Sequence, residues 1–90
     1  MPEIPFEVIT AIKDELAYQE QKWPNHRHSL PEWLLVIEKC LNDAKLAWAS
    51  STDDELALHE LRQITAVGVA AMAQCGAPLR QRFNPVDDGE

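Results

Sequence analysis

Apolar and polar residues alternate along this chain with helical periods and no strand-like two-residue period. Phe6, Ile9, Ile12 (with Val8), Leu16 and Gln19 recur at three- and four-residue steps, which predicts a first helix over about Pro5 to Gln21 with Glu15, Tyr18, Gln19 and Lys22 on its polar side. Trp23-Pro24 should stop it, because a residue before proline is pushed out of the helical region. A second helix should start at Ser29, where Ser29 and Glu32 have capping-box spacing and Pro31 suits a first turn. Trp33, Leu34, Ile37, Leu41, Ala44 and Trp48 are expected to line its core face. Leu35, Val36, Cys40 and Leu46 cover part of the opposite face.

After a turn at Ser50-Ser51-Thr52, the spacing Thr52-x-x-Glu55 predicts a second capping box and a third helix. Ile64 to Ala73 is almost wholly small and apolar, which suits the centre of a bundle. Gly68 within it implies close approach of another helix, since glycine in a helix costs about 1 kcal/mol relative to alanine. Gly76 should cap the helix and Pro78 prevent its resumption. The expected fold is all-α: three helices running up and down, with a long central hairpin from Ser29 to Gly76, completed as a bundle by oligomerisation. The division is a helical domain at 1–78 and a polar, loosely held tail at 79–90.

Composition narrows the partners. Ninety residues form one small domain, and so short a chain commonly needs extra burial from assembly. A homodimer or homotetramer is expected. The formal net charge of −7, with no basic stripe, argues against nucleic acid or an anionic membrane as the main partner. No apolar run reaches the roughly 20 residues that span a bilayer. The first residues lack a basic region followed by an apolar run, so a cytoplasmic location is expected. Cys40 and Cys75 fall at different heights of the hairpin and read as unbridged, buried thiols. His26 and His28, two apart in a connector, are read as capping or solvent-facing residues rather than as metal ligands.

Counting outward from Ser51 sets Asp43 opposite His59 and Glu60, and Lys39 opposite Gln63. One polar cluster of Lys39, Asp43, Glu60 and Gln63 is therefore expected between two apolar faces.

Glu15, Gln19, Lys22, Trp23 and His28 have the spacing E-x3-Q-x2-K-W-x4-H, followed by Trp33-Leu34 at the start of a long helix. With Glu32-Trp33-Leu34-Leu35-Val36-Ile37 and Glu60-Leu61-Arg62-Gln63-Ile64-Thr65-Ala66-Val67, this resembles the small MazG-like all-α nucleoside triphosphate pyrophosphohydrolases, especially single-domain bacterial and prophage forms. The resemblance covers about Ala11 to Ala73. It implies Mg²⁺ held by E-E-x-x-E on one helix and E-x-x-D on the next, with an activated water cleaving between the α- and β-phosphates.

The chain departs from that pattern. E-E-x-x-E falls on Lys39, Cys40 and Asp43, and E-x-x-D on Glu60 and Gln63. A one-residue slip puts Glu38 first, but Lys39 and Asn42 in the other places. The catalytic candidates are thus Glu38, Asp43 and Glu60, with Asp43 and Glu60 as metal ligands. The substrate-binding candidates are Gln19, Lys22, Trp23, His28, Lys39 and Gln63, with Trp23 stacking on a base and Lys22 meeting a phosphate. Lys39 either substitutes for a metal between Asp43 and Glu60 or is a solvated surface charge. The expected function is nucleotide binding at a degenerate, weak or inactive pyrophosphohydrolase site, with Mg²⁺ as cofactor if active and otherwise none. Two alternatives are an active Mg²⁺-dependent pyrophosphohydrolase of altered specificity and a helical protein-interaction module.

Overall fold

The computed structural model describes residues 3–82. Helix α1 spans Phe6–Lys22, α2 Leu30–Ser51 and α3 Asp54–Cys75, and a single 3₁₀ turn follows at Arg80–Arg82. The described residues contain no strand. The fold is all-α, with three helices running up and down around the long α2–α3 hairpin. Among the described residues no helix is long and apolar enough to cross a membrane. Of the expected polar tail, only its first residues lie among those described, and they include the 3₁₀ turn.

The helix ends follow local chemistry. Trp23 leaves the helical region ahead of Pro24, and its amide donates to the Gln19 carbonyl at 2.8 Å. Asn25 then takes a left-handed φ of 55°, a conformation asparagine tolerates, and its amide donates to Glu20 Oε2 at 3.0 Å. The Ser29–Glu32 capping box forms in full: the Glu32 amide donates to Ser29 Oγ at 3.3 Å, and the Ser29 amide donates to Glu32 Oε1 at 2.8 Å. These bonds hold the Glu32 carboxyl below its ordinary range.

The second hairpin turn differs from expectation. α2 runs on through Ser51, Thr52 is its left-handed C-cap with φ 50°, and Asp53 caps α3 by accepting from the Glu55 amide at 2.9 Å. An aspartate one residue later is at least as good an N-cap as threonine, so the turn closes on Thr52-Asp53. Gly76 ends α3 at φ 118°, its amide donating to the Met72 carbonyl at 2.8 Å.

α3 is the shared element. It packs along α2 on one side and against α1 on the other. Among the described residues Trp33, Ala66, Val67 and Ala71 are the buried apolar ones, with Val36, Ile37 and Ala70 packed against Trp33, Val67 and Ala71. Ile64 to Ala71 is thus the centre of the structure, as the composition of the run predicts, while its last two residues, Met72 and Ala73, are exposed.

The faces of the other helices depart from the periodic reading. In α1 the only buried residues are Glu15, expected on the polar side, and Gln19, which the spacing places both on the stripe and on the polar side, while Phe6 and Val8 are exposed. In α2 the inward positions are Trp33, Val36, Ile37, Cys40 and Ala44, and Leu34, Leu41 and Trp48 face out with Leu35 and Leu46. Cys40 is half-buried and Cys75 is exposed, contrary to the expected burial of both, and neither is bridged. A Cβ on Gly68 would meet nothing within 4 Å, so no helix of this chain requires the glycine.

A candidate ligand pocket at the end of the first helix

The pocket is built where α1 ends and the chain doubles back to α2. One residue ties that loop to α3. The Gln74 side-chain carbonyl accepts from the His28 amide at 3.3 Å and from the Trp33 indole Nε1 at 3.1 Å, while its amide nitrogen donates to the His28 carbonyl. The enclosed Trp33 indole needs such a partner, because a buried N–H left unpaired costs about 1–3 kcal/mol. His26 and His28 pack on this anchor. Their rings meet edge to face at 4.4 Å, their Nε2 atoms are 2.7 Å apart, and both rings lie edge-on to Trp33 at 5.1 and 4.7 Å. They are therefore not loop residues facing water, as the sequence suggests; they are stacked and half-buried.

On the α1 side, the buried Glu15 carboxylate organises the wall. Arg62 Nε donates to Glu15 Oε1 at 3.1 Å, and Gln19 Nε2 donates to Glu15 Oε2 at 3.2 Å and to the Gln63 main-chain carbonyl at 3.5 Å. Arg62 is held from behind by His59, whose Nδ1 accepts from Nη2. Tyr18, Lys22 and Trp23 form the rim: Lys22 Nζ lies 5.8 Å from the Tyr18 ring centre and 5.5 Å from that of Trp23, and it donates to the Tyr18 hydroxyl at 3.5 Å.

Together these residues enclose a cavity of about 420 Å³, lined by Glu15, Tyr18, Gln19, Lys22, Trp23, His26, His28, Val36, Cys40, Gln63 and Val67. That volume falls in the range of small-molecule sites, about 300–1,000 Å³. Gln19, Lys22, Trp23, His28 and Gln63, five of the six substrate-binding candidates, share its wall. Burial pushes the Cys40 thiol above its ordinary range, so it stands at the wall as a neutral, weakly nucleophilic group. A second cavity of about 580 Å³ adjoins the first across Glu15, Tyr18 and Gln63, and is lined also by Asp14, His59 and Arg62.

Lys39 and the carboxylate candidates lie outside the 420 Å³ cavity. Lys39 Nζ pairs with Asp43 Oδ2 at 3.1 Å, with 77% of the Lys39 side chain exposed. That hydrogen bond, with the Asp43 charge behind it, raises the lysine above its ordinary range, and the Glu60 carboxylate adds a smaller effect. Lys39, Asp43 and Glu60 are thus electrostatic neighbours, as the hairpin count predicts, but the ammonium group sits in solvent and not between the helices. Gln63 instead lines the cavity, and its main-chain carbonyl accepts from Gln19 of α1. Glu38 is exposed.

Magnesium needs several convergent oxygen ligands. Among the described residues no group of three or more His, Cys, Asp or Glu side chains could hold a metal ion, and Asp43 is engaged by Lys39. The donor set present does not fit a two-ion centre. The burial of Glu15 and the roles of Arg62, His26 and Gln74 were not foreseen. Glu15 and Arg62 are far apart in sequence, and only the packing of α1 on α3 joins them. The comparisons with known proteins return no match: no family model, no curated protein and no solved structure is similar to this chain.

Proposed function

We propose that this chain is a nucleotide-binding protein that hydrolyses triphosphates weakly or not at all. The observation that supports it is the convergence of Gln19, Lys22, Trp23, His28 and Gln63 on one cavity of about 420 Å³. Gln19, Lys22, Trp23 and His28 belong to the motif that resembles the MazG-like enzymes, and Gln63 stands where that family's E-x-x-D has its aspartate. Trp23 offers an indole face for stacking on a base, and the Gln63 side-chain amide carries both a donor and an acceptor for a base edge. Lys22 at the rim supplies a cation for phosphate.

Hydrolysis asks for more. The charge developing on transferred phosphates is commonly neutralised by a pair of metal ions, each held by carboxylates. Asp43 and Glu60 alone cannot hold such a pair, and Asp43 already has a cationic partner. The test is a calorimetric titration of the full chain with nucleotides, combined with pyrophosphate-release assays with and without Mg²⁺ and Mn²⁺. Saturable binding weakened by Trp23→Ala, with turnover near background, is the expected result. Robust metal-dependent turnover lost in Glu60→Ala would establish a working pyrophosphohydrolase instead. Absence of any binding would leave a helical interaction module.

A second reading concerns assembly, and the exposed apolar residues favour it. Leu34, Leu41 and Trp48 recur every seven residues on α2 and are all exposed, as are Leu61 and Met72 on α3. Gly68 lies between the last two with open space in front of it. We propose that these stripes meet those of a second copy, giving a homodimer or homotetramer. A protein of this kind, with free thiols and a nucleotide ligand, belongs in the cytoplasm.

A further inference from the structure

Resting on the nucleotide reading of the 420 Å³ cavity, we infer that its ligand is a nucleoside 5′-monophosphate and not a triphosphate. The argument is a count of charges and of which ones are already engaged. Among the described residues on the cavity wall, Lys22 is the only lysine or arginine. It stands at the rim beside the exposed indole of Trp23, so a base stacked on that ring would carry its phosphate past the ammonium group. A monoester phosphate brings a charge of about −1.5 to −2 at pH 7, which the Lys22 ammonium group can meet, since its contacts among the described residues are the Tyr18 hydroxyl and two aromatic rings and no carboxylate. His26 and His28 are instead turned to each other through Nε2, and His28 Nδ1 lies 4.0 Å from Glu32 Oε1.

Every further phosphate adds negative charge and has nowhere favourable to go. Toward α1 and the adjoining cavity it approaches Asp14 and the buried Glu15. The cation there, Arg62, is held between Glu15 and His59. Toward α2, beyond Cys40, it approaches Asp43 and Glu60, both close enough to act electrostatically on the Cys40 thiol. The cation on that side, Lys39, is taken by Asp43. A net charge of −7 adds to the repulsion at longer range.

The experiment is calorimetry on the full chain, with adenosine, guanosine, cytidine and uridine each offered as nucleoside, 5′-monophosphate and 5′-triphosphate, in EDTA and again in millimolar Mg²⁺. In EDTA, the best-bound monophosphate should exceed its triphosphate about tenfold in affinity and its nucleoside about fivefold. In Lys22→Gln the ratio of monophosphate to nucleoside affinity should fall toward one, with the circular-dichroism spectrum confirming that the helices persist. A triphosphate that binds as tightly as its monophosphate in EDTA overturns the inference while leaving the nucleotide reading standing. If no nucleoside or nucleotide in the panel binds, the nucleotide reading fails and this inference falls with it. A monophosphate preference that survives Lys22→Gln unchanged also overturns it, because the charge count would then have no part in selectivity.

Discussion

Glu15 is the one charged side chain that is buried among the described residues, and Arg62 is what makes its burial tolerable. Removing one partner of an enclosed pair leaves a charge without water or counterion, which is more costly than losing both. Arg62 is partly exposed, so the penalty is moderated by solvent. Arg62→Ala should destabilise the fold by about 2–3 kcal/mol, a fall of roughly 10–20 °C in Tm for a domain of this size. Glu15→Gln keeps a polar group for Gln19 and removes the charge, and should cost about 1 kcal/mol. Thermal melts of the two variants would show that order, and a milder Arg62→Ala would mean that water reaches Glu15. The pair also marks what periodicity misses. On α1 the apolar stripe is half-buried at Ile9, Ile12 and Leu16 and exposed at Phe6 and Val8, and the fully buried positions are Glu15 and Gln19. A polar residue inside a core is visible in sequence only when its partner can be named, and here the partner lies on another helix.

Helix identity and length were readable from pattern because caps and breakers are local: the Ser29–Glu32 box, Pro24 and Gly76 act within a few residues of themselves. Which face of α2 turns inward was not. Leucines at 34 and 41 and tryptophan at 48 have as good a helical spacing as Trp33, Val36 and Cys40, and the choice depends on what α3 presents opposite them. The join between elements was equally invisible, since Gln74 reads as an ordinary polar residue near a helix end. Its side chain nevertheless bonds both main-chain groups of His28 and the Trp33 indole. Gln74→Ala should cost about 1–3 kcal/mol and free the loop before α2. Hydrogen exchange is the decisive measurement. Protection should fall at the His28 amide and persist through the middle of α3, whereas uniform loss along all three helices would mean that Gln74 supports the whole fold and not this loop.

At the scale of the molecule, four buried apolar residues among those described are a small core for three helices of this length, while many large hydrophobic side chains remain exposed. So small a domain is expected to gain burial by assembly. Light scattering at micromolar concentration should therefore give the mass of a dimer or tetramer, and a monomer would refute the assembly reading. Gly68→Leu discriminates further. No atom of the chain itself lies within 4 Å of the added Cβ, so the variant should fold as a protomer. If a second copy crosses there, its mass should fall; if the mass stays the same, Gly68 is outside the contact.

The three tryptophans fall into three separate environments. Trp33 is 2% exposed and hydrogen-bonded in the core, Trp23 is half-exposed at the pocket rim, and Trp48 is half-exposed on the outer side of α2. Indole emission shifts to longer wavelength as water reaches the ring, so each residue is an optical gauge of a different process. With the other two replaced by phenylalanine, Trp23 reports ligand occupancy and Trp48 reports association between copies. Trp33 reports unfolding, and the three events can be followed in three single-tryptophan variants without an added dye.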